Sequence, residues 1–193
     1  SGVDIHQFIC TPVPTSPVRF VFVGRLLREK GIVELMEATR RIRKSYPEVV
    51  VDIVGDLDEN PSGVSEEQVQ GWEAEGLIQR IGFVDDVRPF LQRASVFVLP
   101  SYREGTSRST LEAMAMGRAV ISTDAPGCRE PVAHGVNGYL VPARDPIALA
   151  NAMIQCIENP TKLEKMGVES RKIVEERYDV RLVNEDILRQ MKL

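Results

Sequence analysis

Four charged side chains in this sequence could handle an anionic, hydroxyl-bearing ligand: Arg25 and Lys30 in one segment, Glu104 and Glu112 in another. The segment Gly24-Arg25-Leu26-Leu27-Arg28-Glu29-Lys30-Gly31 follows an apolar run and leads into a helical pattern. Glycine there would let a ligand approach the backbone, and two cations near a helix start can clamp a diphosphate. Arg25 offers a planar fork of donors, Lys30 a mobile point charge. A solvated loop whose charges do nothing in particular accounts for the same residues. The segment has neither the Walker spacing nor Gly-x-Gly-x-x-Gly, so it gives no support to an ordinary phosphate-loop or NAD site.

The second segment runs from Glu104 to Glu112 and is entered through Pro100-Ser101-Tyr102. Thr106 or Ser107 begins a helix there, and the exposed amides of its first turn suit phosphate or sugar hydroxyls. Glu104 then lies at the mouth, and Glu112 lies over a turn inside, where it can accept hydrogen bonds from ribose hydroxyls. Two structural alternatives stay open. Ser109-x-x-Glu112 fits a capping box, and Glu104 can be an exposed loop acid. In a third segment, Thr123 to Glu130, Pro126-Gly127 allows Gly127 to approach a phosphate, or simply makes a turn. Asp56-Leu57-Asp58 resembles an Asp-x-Asp metal motif, but its acidic, turn-rich setting reads as a solvated loop. His6 and His134 lack partners at ligand spacing, so no metal is expected.

Apolar runs at 18–23, 49–54, 78–83, 96–99, 119–122 and 138–141 read as strands. Helical patterns occupy 31–44, 65–75, 87–93, 107–116, 146–156, 162–176 and 180–191. Asp145 caps a helix with Pro146 in its first turn. Trp72 reads as packing. The stripe Leu182, Val183, Ile187, Leu188 and Met191 reads as a packing face, against this domain or a missing one. Alternation of this kind argues for an α/β chain with a parallel sheet covered on both faces. Ligands in such folds bind beyond the carboxyl ends of the strands, which is where the charged segments fall.

The whole chain has 193 residues, 43% hydrophobic and 27% charged, with a formal net charge of −4. That is ordinary globular composition, and the balance does not recruit nucleic acid. Cys10, Cys128 and Cys156 are too scattered for a disulfide framework or a zinc site and read as cytosolic free thiols. No run approaches the roughly 20 apolar residues of a membrane span, and no signal segment opens the chain. A start at Ser1 without methionine suggests a fragment or processed chain.

With these segments in order, the chain resembles the retaining family 4 glycosyltransferases of the two-Rossmann-domain (GT-B) type, especially the bacterial capsular and surface-polysaccharide branch. The resemblance rests on Gly2-Val3-Asp4, Phe22-Val23-Gly24-Arg25 with Lys30-Gly31, and Gly82-Phe83-Val84. It rests further on Glu104-Gly-Thr-Ser-Arg-Ser-Thr-Leu-Glu112 through Gly117, on Gly127-Cys-Arg-Glu130, and on Gly138-Tyr-Leu-Val-Pro142. It implies the Rossmann-like C-terminal half of a GT-B fold, one donor-binding domain over 1–193. Residues 1–16 would be the interdomain linker and 179–193 a terminal helix. Arg25 and Lys30 would bind the donor diphosphate beside Gly24, and Glu104 would meet the transferred sugar. The amides of Gly105, Thr106 and Ser107 would hold sugar or phosphate oxygens, Glu112 the ribose, and Val84 the base. The sequence departs from the family where Thr106-Ser107 replace an aromatic-glycine pair and Ser109 replaces a frequent proline.

The resemblance further implies transfer from a nucleotide-diphosphate sugar, UDP by family frequency, to a glycan or lipid-linked acceptor with retention. It implies no metal and no other cofactor, and makes the two acids a transferase pair rather than a glycosidase pair. The acceptor domain would be absent from this chain, leaving the isolated domain inactive. A cytoplasmic site, with any membrane association through the absent domain, is the matching expectation. A nucleotide-binding or scaffold domain of the same fold without catalysis is the alternative.

Overall fold

The structure is a computed structural model that describes residues 1–191. Its frame is one parallel sheet of six strands: β1 (Phe20–Val23), β2 (Val51–Val54), β3 (Ile78–Gly82), β4 (Val96–Leu99), β5 (Ala119–Thr123) and β6 (Gly138–Val141). The spatial order is β3-β2-β1-β4-β5-β6. Every residue of β1, β2, β4 and β5 is buried, as expected for a parallel sheet with helices on its faces. This is why β1 and β4 read as short continuous apolar runs rather than alternating ones; β2 carries the buried Asp52, paired with Arg93 at 2.9 Å, and β5 ends on the buried Ser122 and Thr123.

The helices are α1 (Ile32–Ile42), α2 (Glu66–Ala74), α3 (Arg88–Arg93), α4 (Arg108–Ala115), α5 (Pro146–Glu158), α6 (Pro160–Arg177) and α7 (Val180–Met191). The pairings α1 with α5 and α4 with α6 build the helical layers. The α1 stripe of Ile32, Leu35, Met36 and Ile42 is fully in the core. Asp145 caps α5 by accepting from the amides of Ile147 and Ala148, as its place before Pro146 predicts. Trp72 is buried, as expected. Of the terminal helix expected over 179–193, residues 192–193 lie outside the described residues.

The apolar stripe of α7 does not pack on this domain. Leu182, Ile187, Leu188 and Met191 are all exposed, and no α7 residue is buried. Residues 1–16, by contrast, are fastened down. Val3 bridges Asp179, Phe8 is buried, and the Arg171 guanidinium donates to the carbonyls of Ile5, Phe8 and Ala115. Arg118, with no exposed surface, donates to the carbonyls of Thr11, Pro12, Leu91, Gln92 and Gly117. The consequence for function lies in the strand order. It reverses between β1 and β4, so the loops that follow these two strands diverge and leave a crevice between them.

Candidate functional site

The β1 loop, 24–31, and the β4 loop, 100–107, form the two walls of that crevice. Val23, Gly24, Arg25, Lys30, Leu99, Glu104, Thr106, Ser107, Arg108, Ser109 and Glu112 line a cleft of about 380 Å³. Arg25, Lys30, Glu104 and Glu112 therefore share one cavity although the sequence separates them widely. Lys30 Nζ lies 2.5 Å from Glu104 Oε1, and Ser101 Oγ donates to the same oxygen at 2.7 Å. The Lys30 and Glu104 side chains keep 23% and 10% of their exposure, so the pair is screened less than a surface ion pair. Glu104 is thus a partly buried, positioned carboxylate and not a free loop acid.

Two glycines hold the walls together. Gly31, with φ 73, sits so close to β4 that a Cβ would lie 2.0 Å from the Pro100 carbonyl oxygen. Gly127, with φ 79, sits under Glu104, where a Cβ would lie 1.6 Å from the Glu104 carbonyl oxygen. The Glu104 amide in turn donates to the Pro126 carbonyl. The Pro126-Gly127 turn therefore shapes the Glu104 loop from below. Thr106 is held at φ 47, an uncommon conformation for a branched side chain. The amides of Gly105, Thr106 and Ser107 donate to nothing among the described residues, so they stand ready for an outside acceptor at the N-terminus of α4.

The alternative, a Ser109–Glu112 capping box, is not formed. Ser107 is the cap of α4, its hydroxyl accepting from the Thr110 amide. Ser109 Oγ instead donates to the Val23 carbonyl at 3.0 Å, tying α4 to the end of β1. Glu112, released from any capping duty, is 7% exposed and pairs only with the exposed Arg108, at 2.9 Å. Burial pushes its carboxyl above the usual range, with Arg108 opposing. Such a desolvated acid is a liability for folding, which favours a ligand role.

Val84 is placed apart from Arg25 and Lys30, in an adjoining groove with Phe8, Phe83, Val87, Asp85, Asp86 and Arg88. Arg108 and Glu112 line both spaces and join them. Phe83 is 71% exposed at this groove. Two residues were missed in the sequence. Arg108, one helical turn before Glu112, is the only partner of that acid among the described residues, and the i,i+4 spacing could have found it. In the 56–61 loop, whose Asp56, Glu59, Asn60 and Pro61 are exposed as the solvated reading expects, Asp58 takes Arg25 Nη1 at 2.6 Å. Its other oxygen accepts from the Asn60 amide at 2.9 Å. The Asn60 amide and then the Arg25 guanidinium hold its carboxyl below the usual range. No local pattern announced that contact, because it joins loops from different strands. Among the described residues, no three His, Cys, Asp or Glu side chains are grouped as metal ligands.

The arrangement presents two cations and free amides at one end, a carboxylate at the centre, and a second carboxylate leading to a groove of mixed apolar and charged side chains. Residues 17–159, which contain every part of it from Gly24 to Glu112, match the family model described as group 1 glycosyl transferases. The chain is 28% identical over 166 residues to the capsular polysaccharide biosynthesis glycosyltransferase CapM of Staphylococcus aureus, covering 86% of this chain and 43% of that protein. It therefore spans less than half the length of that relative. Among solved structures it superposes on Anabaena HepE, determined with UDP, with a TM-score of 0.86 and 26% identity, covering 99% of this chain and 56% of that one. It also shares the fold of the C-terminal domain of a group 1 family glycosyl transferase (LpcC) from Francisella tularensis, at a TM-score of 0.79 and 24% identity. That alignment covers 93% of this chain and all of the other. The sheet is the Rossmann-like layer of a GT-B fold, and with the family match running through both walls of the crevice, this chain belongs to the group 1 glycosyl transferases.

Proposed function

We propose that this chain is the donor-binding domain of a retaining glycosyltransferase of bacterial polysaccharide biosynthesis, and that it binds a UDP-sugar. The observation that carries this reading is the contact of Lys30 with Glu104 across the β1–β4 switch point, beside the free amides at the start of α4. A cation, a carboxylate and open N–H groups in one crevice match a diphosphate joined to a polyhydroxylated ring. HepE, its structural neighbour, was solved with UDP, which supports a uridine nucleotide as the ligand class.

In this reading Arg25, Lys30 and the Gly105–Ser107 amides hold the diphosphate, with Gly24 beneath it. A Cβ at Gly24 would meet only the Phe22 ring, at 3.7 Å, so the protein leaves open space on this side of the backbone. Glu104 orients the sugar hydroxyls, Glu112 takes the ribose and Val84 lies along the base. In transfer, the bond from the anomeric carbon to the phosphate oxygen breaks and its electrons pass to that oxygen. The acceptor oxygen bonds to the anomeric carbon from the same face, and its proton goes to the departing phosphate. The cations and amides stabilise the charge that develops, each worth roughly 2–4 kcal/mol in a preorganised site, and the chemistry calls for no metal.

The acceptor, a glycan or lipid-linked saccharide, would be held by a second domain outside this chain, so that the isolated domain transfers little or no sugar. Calorimetric titration with UDP tests the donor site. Lys30→Ala and Arg25→Ala are each expected to weaken binding about tenfold or more, from loss of a charge-assisted hydrogen bond, while unfolding shifts less. Unchanged affinity in both variants would overturn the assignment.

A further inference from the structure

We propose that Asp58 is a positioning residue for the diphosphate clamp: it anchors one nitrogen of Arg25 and leaves the rest of the guanidinium free to face the phosphates. This rests on the donor-site reading above and adds a residue to it.

Arg25 is a long side chain on an exposed loop, 66% accessible. Unrestrained, it would lose much of its rotamer freedom on binding an anion. Here Nη1 is fixed on Asp58 Oδ2 at 2.6 Å. Nε and Nη2 donate to nothing among the described residues, and Arg25 lines the cleft while Asp58 does not. The guanidinium has donors enough to serve both partners at once.

Asp58 is itself held rigidly. Its Oδ1 accepts from the Asn60 amide at 2.9 Å, and Asn60 Oδ1 accepts from the Ser62 amide at 3.0 Å. A Cβ on Gly63 would lie 2.3 Å from the Asp58 carbonyl oxygen, so the turn is closed tightly. The same loop is laced to the clamp loop by backbone bonds from Leu26 to Asp56, Arg28 to Ser62 and Val64 to Leu26. The segment after β2 therefore braces the segment after β1, and Asp58 extends that brace to the tip of Arg25. Its charge also repels a diphosphate, but the ion pair with Arg25 offsets that repulsion, and preorganisation prevails.

The test is a double-mutant cycle in UDP binding, measured by calorimetry on this chain. Asp58→Asn keeps an oxygen for the Asn60 amide and removes the charge that holds Arg25. It is expected to weaken UDP binding about two- to tenfold, the equivalent of one immobilised side chain. In an Arg25→Ala background the same change should leave affinity unaltered or slightly improved, because only the repulsion is then removed. A purely structural role would instead weaken binding equally in both backgrounds, and that result overturns the proposal. So does Asp58→Asn binding UDP as tightly as the native chain. If UDP, ADP and GDP all fail to bind the native chain, the donor-site reading falls and this proposal with it. UDP binding that depends on Lys30 but not on Asp58 sinks this proposal alone.

Discussion

Replacing Gly127 by alanine should disable the Glu104 loop without touching a charged group. The added methyl would lie 1.6 Å from the Glu104 carbonyl oxygen and 2.2 Å from its carbonyl carbon. Ordinary contact begins near 3.4 Å, so one backbone or the other must move by well over 1 Å. No side-chain rotation relieves the clash, since both partners are main chain. Overpacking of this kind costs about 1–3 kcal/mol, and a left-handed φ of 79 adds roughly 1–2 kcal/mol for alanine. For a chain of this length the sum corresponds to a fall in Tm of roughly 5–15 °C. The Glu104–Pro126 backbone bond is the contact that opens, so exchange of the Glu104 amide, and of the Tyr102 amide bonded to Glu29, should accelerate. Gly105→Ala is the control, because a Cβ there meets nothing within 4 Å, and it should stay within about 0.5 kcal/mol of the native chain. Thermal unfolding and hydrogen exchange of the two variants provide the comparison. A Gly127→Ala chain that melts within about a degree of native, with unchanged exchange over this loop, would refute the argument.

Two further variants probe buried charge. Glu112 has its carboxyl raised above the ordinary 4.5 by burial, so the folded chain retains a proton that the unfolded chain has lost. That contribution to stability is fully present below pH 4.5 and is lost as pH rises through the folded value. Glu112→Gln should therefore be more stable than native at pH 7 and show a flatter decline in stability above pH 4.5. The lost exposed pair with Arg108 subtracts a few tenths of a kcal/mol. Urea titrations from pH 4 to 7 read this out, and a variant less stable at pH 7 would contradict it; nucleotide affinity should fall in the same variant. Arg118→Met strips donors from five backbone carbonyls in the interior and should cost about 3–5 kcal/mol. Burial lowers the Arg118 pKa to about 10, so it stays charged at neutral pH. A loss below about 1 kcal/mol in denaturant unfolding would show that water replaces the guanidinium.

The sequence by itself determined the element inventory and the segments of the site. Buried parallel strands are apolar on both faces, so β1 and β4 stand out as short unbroken runs that end at glycine or proline, while β2 buries Asp52 only by pairing it with Arg93. Each charged segment could be assigned to a loop after a strand from chain order alone. What one dimension could not decide was partnership across strands. The pairing of Lys30 with Glu104 depends on β4 lying beside β1, which strand order in space sets and chain order does not. Ser109 looked like half of a capping box with Glu112. The tertiary structure gave Ser109 to the Val23 carbonyl and the cap to Ser107, because α4 starts hard against the end of β1. Asp58 looked solvated, and became the anchor of Arg25 only because backbone bonds lace its loop to the clamp. Gly127 could be read as a turn from sequence, but only the tertiary structure shows its close approach to the Glu104 backbone. Local pattern names the groups that can do chemistry, because side-chain type and periodicity are written in order along the chain. Which of them touch is settled by sheet topology and by the few backbone contacts too close to admit a Cβ.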